Sequence, residues 1–252
     1  MAIKDVQKDL LDPAILGTTG ILKSIAAFAP TVKRVVITSS FAAIVNRKMG
    51  FWPEHTYSES DWDPITHEEA LNDASSGYFG SKTFAEQAAW KFIEEKKPNF
   101  TLNTVNPPMI YGPMKQSVKS LDQINTSSQR MRDILLGKFK NEIPATGLPL
   151  WADVRDVALV HVLAMESQEV TGQRIFTVAG YFNNREMVEI VRKHFPEYAE
   201  RLPDESVKGG ELPEGGTYKI DNSRVKKLIK QEFITFEQSM VDLAKTLKNL
   251  GA

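Results

Sequence analysis

Residues 34–40 read Arg-Val-Val-Ile-Thr-Ser-Ser (RVVITSS). From Val32 to Thr38 β-branched residues dominate, the pattern of a parallel strand covered on both faces. The strand ends in two hydroxyls, Ser39 and Ser40. Upstream, Asp12-Pro13 opens a helix with proline at its first position. Ile15, Leu16, Ile21, Leu22, Ile25 and Ala26 then recur at helical spacing as far as Phe28, and Ala29-Pro30 ends the run. Downstream, residues 46–76 carry no periodicity, and a connection this long in a compact domain is usually functional. A helix is expected over 77–96, with Phe84, Ala85, Ala88, Ala89, Phe92 and Ile93 on one face and Pro98 beyond it. A second buried strand is expected over 100–105, stopped by Asn106-Pro107-Pro108.

Beyond that strand, residues 111–128 are polar and read as a crossing or lid. Helices are expected over 130–137, 153–167, 184–194, 221–230 and 236–250, with a third strand over 174–178. Strands alternating with helices argue for an α/β fold with a parallel sheet.

The 252 residues are 42% hydrophobic, enough for one large domain or two small ones. A formal net charge of -1 without a long basic run argues against nucleic acid and anionic membranes as partners. Cysteine is absent, which excludes disulfides, thiolate zinc sites and cysteine nucleophiles. The charged opening MAIKDVQKDLLD reads as neither a signal peptide nor a membrane span, so a soluble cytoplasmic protein is expected. His55, His67 and His194 have no partners at metal-ligand spacing, and no metal site is expected.

Tyr78 and Lys82, in the run YFGSK, fall four residues apart near the start of the expected 77–96 helix. A free phenol titrates near 10 and is a weak acid-base group at neutral pH. An ammonium four residues on shares the helix face and favours the phenolate, and the helix N-terminus acts in the same direction. A hydroxyl at the end of a neighbouring parallel strand, such as Ser40, can donate a hydrogen bond to a substrate oxygen. A tyrosine and lysine at this spacing are a weak signal alone; the strand ending in serines supplies the context.

RVVITSS, YFGSKTFAEQAAW, NTVNPPMIYGP and ADVRDVALVHVLAM, in this order, resemble the extended short-chain dehydrogenase/reductases, on the branch of the fungal NADPH-dependent methylglyoxal and aldehyde reductases. The resemblance implies a Rossmann-like, doubly wound parallel sheet with a smaller C-terminal substrate-binding lobe. Residues 1–110 would form the dinucleotide-binding part, and 111–252 would be mainly the substrate lobe, with segments returning to the sheet. It implies NADPH-dependent reduction of a small aldehyde or ketone, with NADH as the alternative donor. Tyr78 would donate the proton, Lys82 would bind the nicotinamide ribose, and Ser40 would orient the carbonyl. Thr38, Ser39, Pro107, Met109 and Ile110 would lie along the cofactor, and Phe41, Val45, Ser75 and Tyr111 would line the substrate pocket.

The family opens with a strand, a glycine-rich phosphate turn and a helix. Gly17-Thr18-Thr19-Gly20 falls inside an apolar helical pattern and does not read as that turn. The reading is therefore of a fold cut short at its N-terminus, with an uncovered sheet edge that would favour self-association into a homo-oligomer. Two other functions stay open: a non-catalytic remnant acting as an interaction protein, and a nucleotide-sugar epimerase or dehydratase of the same superfamily. His161 reads as a packed core histidine, Trp151 as a pocket wall or a core aromatic, and Asp153, Arg155 and Asp156 as caps and ion pairs joining two lobes.

Overall fold

The computed structural model describes residues 3–252; Met1 and Ala2, at the head of the expected first lobe, lie outside the described residues. A π-helical turn, Gln7–Leu11, runs directly into α1 (Asp12–Phe28), with Pro13 in its first turn. β1 (Arg34–Thr38) is followed by a long irregular stretch that holds β2 (Thr56–Tyr57) and the short α2 (His67–Ala70). Then come α3 (Ala74–Lys96), β3 (Thr101–Asn106), β4 (Met109–Tyr111), α4 (Thr126–Leu135), β5 (Leu150–Asp153) and α5 (Val154–Glu166). β6 (Arg174–Phe176), β7 (Gly180–Tyr181), α6 (Asn184–His194), β8 (Lys219–Ile220), α7 (Ser223–Ile229) and α8 (Phe236–Asn249) complete the order.

The chain divides into two units. The first comprises Met1–Pro108, Leu159–Thr177 and Tyr218–Lys230. Its centre is a parallel sheet in the order β1-β3-β6, the Rossmann-like arrangement, with Val36 opposite Asn103 and Asn106 opposite Phe176. Leu22 of α1, Ala89 and Phe92 of α3, and Phe100 and Leu102 form a buried cluster, against which Val35 and Ile37 of β1 pack. Arg34 donates to the carbonyls of Ala164, Met165 and Ser167, placing a cation at the C-terminal end of α5.

β3 is buried along nearly its whole length. β1 is half-buried through Ile37 and exposed at Thr38, because it is the edge of this sheet. Its β-branched run therefore overstates its burial. Strand chemistry reports backbone preference more directly than cover on both faces.

Gln7–Phe28 forms 22 residues of continuous helix with an 18-residue window of mean hydropathy 1.2, which meets by length and composition alone a test that core helices of soluble proteins and signal sequences also pass. Within the first unit α1 packs along α3, while Leu16, Ile21 and Phe28 stay exposed. Gly17 and Gly20 lie inside α1, as their apolar context predicts.

The smaller second unit comprises Met109–Ala158, Val178–Thr217 and Gln231–Ala252. β4 and β5 pair in parallel, and β5 pairs with β7 antiparallel. These three short strands escaped the sequence pattern, since two to four residues show no period. Helices α4, α6 and α8 close over a core that includes Met131, Ile134, Phe182, Met187, Phe236 and Met240.

Candidate active site

Ser39 continues the ladder of β1 by donating its N–H to the Val105 carbonyl at 2.8 Å. Ser40 is extended (φ -161°) and caps a short 3-10 turn, Phe41–Ala43; its Oγ accepts from the Ala42 N–H at 3.1 Å. Phe41 N–H donates to the Pro107 carbonyl at 2.9 Å, and Asn106 Nδ2 donates to the Ser40 carbonyl at 3.3 Å. The ends of β1 and β3 are thus tied together where the two serines stand. The hydroxyls differ in what they do. Ser39 is buried and donates to Glu86, whereas Ser40 is half-buried and its proton has no acceptor among the described residues.

α3 starts at Ala74, capped by Asp73, whose Oδ1 accepts from the Ser76 N–H at 2.8 Å. Tyr78 is therefore a full turn inside the helix, not in its first turn. The helix-end field falls off over that distance. Gly77 and Gly80 flank Tyr78 because a Cβ at either would strike Val6 or Ala70. The close approach they permit seats this end of α3 against the preceding segments. Thr83, next to Lys82, donates to the Phe79 carbonyl of its own helix at 2.9 Å, and its hydroxyl lies 3.5 Å from the Ala42 carbonyl, where α3 packs on the turn after Ser40.

Tyr78 is 44% exposed, and its ring meets Phe79 edge-on at 5.8 Å. Lys82 is half-buried, and among the described residues it has no ion-pair partner. These two side chains, four residues apart on one helix, are left free to meet a ligand.

The other expected site residues divide sharply. Thr38 Oγ1 meets His161 Nε2 at 2.7 Å, so His161 is a half-exposed hydrogen-bonded residue rather than a packed core histidine. Phe41 is 2% exposed, stacked on Phe176 at 5.3 Å, and Val45 is fully buried. Ser75 is exposed and accepts from Arg47 Nη1 at 3.1 Å, while the Arg47 guanidinium lies 3.8 Å over the Phe79 ring.

Met109, Ile110 and Tyr111 form β4 of the second unit, the first two half-buried. Tyr111 is buried against Phe182, with a hydroxyl that has no partner; burial pushes its phenol up to about 12, opposed by the Arg130 charge. Trp151 is a core aromatic of the second unit, 4.9 Å from Phe236. Asp153, Arg155 and Asp156 do pair and cap, but with Asp242 and the Ile234 N–H of their own unit. Among the described residues no group of three His, Asp or Glu is placed to hold a metal.

The sequence reading missed Glu86, Asn106 and Arg174, whose buried side chains meet beneath the serines. The available signal was one carboxylate at a two-turn spacing from Tyr78, on a helix otherwise apolar at that level.

No family model matches the chain. In sequence it is similar to the ketoreductase azaE of Aspergillus niger, 48% identical over 232 residues, which are 91% of this chain and 66% of that protein. It is 37% identical over 241 residues to the putative NADPH-dependent methylglyoxal reductase GRP2 of Candida albicans, covering 95% of this chain and 70% of that one. Among solved structures it superposes on yeast methylglyoxal/isovaleraldehyde reductase Gre2 complexed with NADPH with a TM-score of 0.88. That pair is 33% identical and covers all of this chain and 74% of Gre2.

Proposed function

The chain belongs to the extended short-chain dehydrogenase/reductases, and from that premise we propose that it reduces a small aldehyde or ketone at the expense of NADPH. The observation that carries this reading is the pairing of Tyr78 and Lys82 on one face of α3, beside the turn that presents Ser40. The residues suit a nicotinamide nucleotide. Lys82 is a cation without a protein partner among the described residues, fit to bind ribose hydroxyls. The carboxyl ends of β1, β3 and β6 lie side by side, the place where open parallel sheets take ligands. Within the first unit Thr38, Ser39 and Pro107 stand at those ends.

When bound, NADPH supplies the hydride that adds to the carbonyl carbon. The protein's part is the oxygen. Ser40 Oγ donates a hydrogen bond to it, Tyr78 delivers its hydroxyl proton to the oxygen as the C–O double bond becomes single, and the Lys82 charge stabilises the phenolate left behind. Phe41 and Val45 are buried in and just after the turn that follows Ser40, and Ser75 stands at the exposed start of α3. The likeness to the ketoreductase azaE and to the methylglyoxal/isovaleraldehyde reductase Gre2 supports an oxo substrate for this chain as well.

The test is Tyr78→Phe assayed with NADPH and a short aldehyde such as methylglyoxal. The expected loss in kcat is about 10²–10⁴-fold. Turnover equal to that of the unsubstituted protein would refute the assignment.

A further inference from the structure

Glu86 lies four residues beyond Lys82 and eight beyond Tyr78, on the same side of α3. It is 2% exposed, and both its oxygens are filled. Oε1 accepts from Arg174 Nε at 2.7 Å, Thr104 Oγ1 at 2.9 Å and Trp90 Nε1 at 3.2 Å. Oε2 accepts from Asn106 Nδ2 at 2.7 Å and from the Ser39 hydroxyl. Apart from Trp90, these donors belong to all three strands of the sheet: Ser39 just past β1, Thr104 and Asn106 on β3, Arg174 on β6.

Asn106 is the link to the site. An amide carries two hydrogens. Asn106 Nδ2 gives one to Glu86 and one to the Ser40 carbonyl. Ser39, the residue before Ser40, donates its hydroxyl to the same Glu86 oxygen. The backbone that presents the Ser40 hydroxyl is therefore held on both sides by one carboxylate. A buried carboxylate that meets only donors is rigid, because any displacement leaves a charge-assisted bond unmade in a medium of low dielectric.

We propose that Glu86 is a positioning residue for carbonyl reduction: through Ser39 and Asn106 its carboxylate fixes the place of the Ser40 hydroxyl relative to Tyr78 and Lys82 on the same helix. This rests on the reductase reading above. Arg174 balances the charge, and the Glu59 carbonyl fixes Arg174 Nη1 at 2.7 Å.

The test is a double-mutant cycle of Glu86→Gln and Ser40→Ala, with kcat and KM measured for NADPH and a short aldehyde. The glutamine amide turns a donor toward groups that had met an acceptor. Glu86→Gln alone is expected to lower kcat about 10- to 100-fold while KM stays within about twofold, the mark of lost geometry rather than lost binding. In the Ser40→Ala background the further loss is expected to stay within about twofold, since the hydroxyl being positioned is gone. An equal loss in both backgrounds would overturn the proposal. Asn106→Ala keeps the Glu86–Arg174 pair and serves in the same cycle if Glu86→Gln does not fold; there too an equal loss in both backgrounds overturns it. Absence of NADPH-dependent turnover by the unsubstituted protein would overturn the reductase reading itself and this inference with it. That failure is seen in the parent rate, whereas failure of the positioning role is seen only in the cycle.

Discussion

Each unit of the molecule seals one carboxylate against an arginine, and the two pairs are alike in distance but not in construction. Glu86 and Arg174 in the first unit meet at 2.7 Å, Asp153 and Arg155 in the second at 2.8 Å, and both carboxylates are buried. The arginines differ: the Arg174 side chain is 9% exposed and that of Arg155 is 41% exposed. The donors differ more. The hydrogen bonds found to Asp153 come from Arg155, two residues on, through its backbone N–H, Nε and Nη2. The strand donors to Glu86 come from 18, 20, 47 and 88 residues away. A local pair caps a helix. A non-local one fixes strand ends in relation to a helix, which is what a site assembled from several elements needs.

The largest expected effect would break this comparison if it failed. Arg174→Met leaves the Glu86 charge buried without its cation and is expected to cost about 3–5 kcal/mol of stability, read as a lowered denaturant midpoint. A loss below about 1 kcal/mol would mean that the hub carries no net charge to balance. Arg155→Met should cost less, roughly 1–2 kcal/mol, because water can reach the space the guanidinium leaves. Burial alone would raise the Asp153 carboxyl, but hydrogen bonds from Arg155 outweigh it and hold it below the usual range. That stabilisation is present at neutral pH and is lost as pH falls through the lowered value. The penalty of Arg155→Met should therefore shrink in acid, and a pH-independent penalty would count against a charge effect.

Asp63 sharpens the contrast from the opposite side. It is buried, one oxygen accepts from the Ile65 N–H at 3.1 Å, and the other has no partner. Burial pushes it up to about 6 from 3.8, so the folded state binds its proton more tightly than the unfolded chain does. Its cost to stability is absent below the unfolded value and grows as pH rises toward and through 6. Asp63→Asn is expected to gain about 2 kcal/mol on the parent between pH 4 and pH 7.5. Parallel stability curves for the two proteins would show that the carboxyl does not titrate in this window.

What the sequence made legible follows the same division between local and distant. Helix α6 spans residues 184–194, as its periodicity predicts, and α1, α3 and α8 lie within a few residues of expectation. The Tyr78–Lys82 spacing and the serine pair could be read because each is a short string on one element. The sheet order places β1, β3 and β6 together, as the strand–helix alternation implies. Glu86 was legible only as a charge on a helix, since nothing in YFGSKTFAEQAAW says that Arg174 lies against it. Phe41, Val45 and Tyr111 show the converse. Their place in the string puts them near the proposed site residues, but their apolar bulk puts them in the cores.

One rod carries Tyr78, Lys82 and Glu86, so α3 acts as a ruler between the proposed proton donor and the buried carboxylate. Over eight residues it measures about 12 Å at the usual rise. Each added or lost residue between Tyr78 and Glu86 would swing one end by about 100° relative to the other. The three side chains could not be retuned separately by such a change, and a tolerated length change would have to come in near-whole turns. Loops beyond either end of α3 face no such rule.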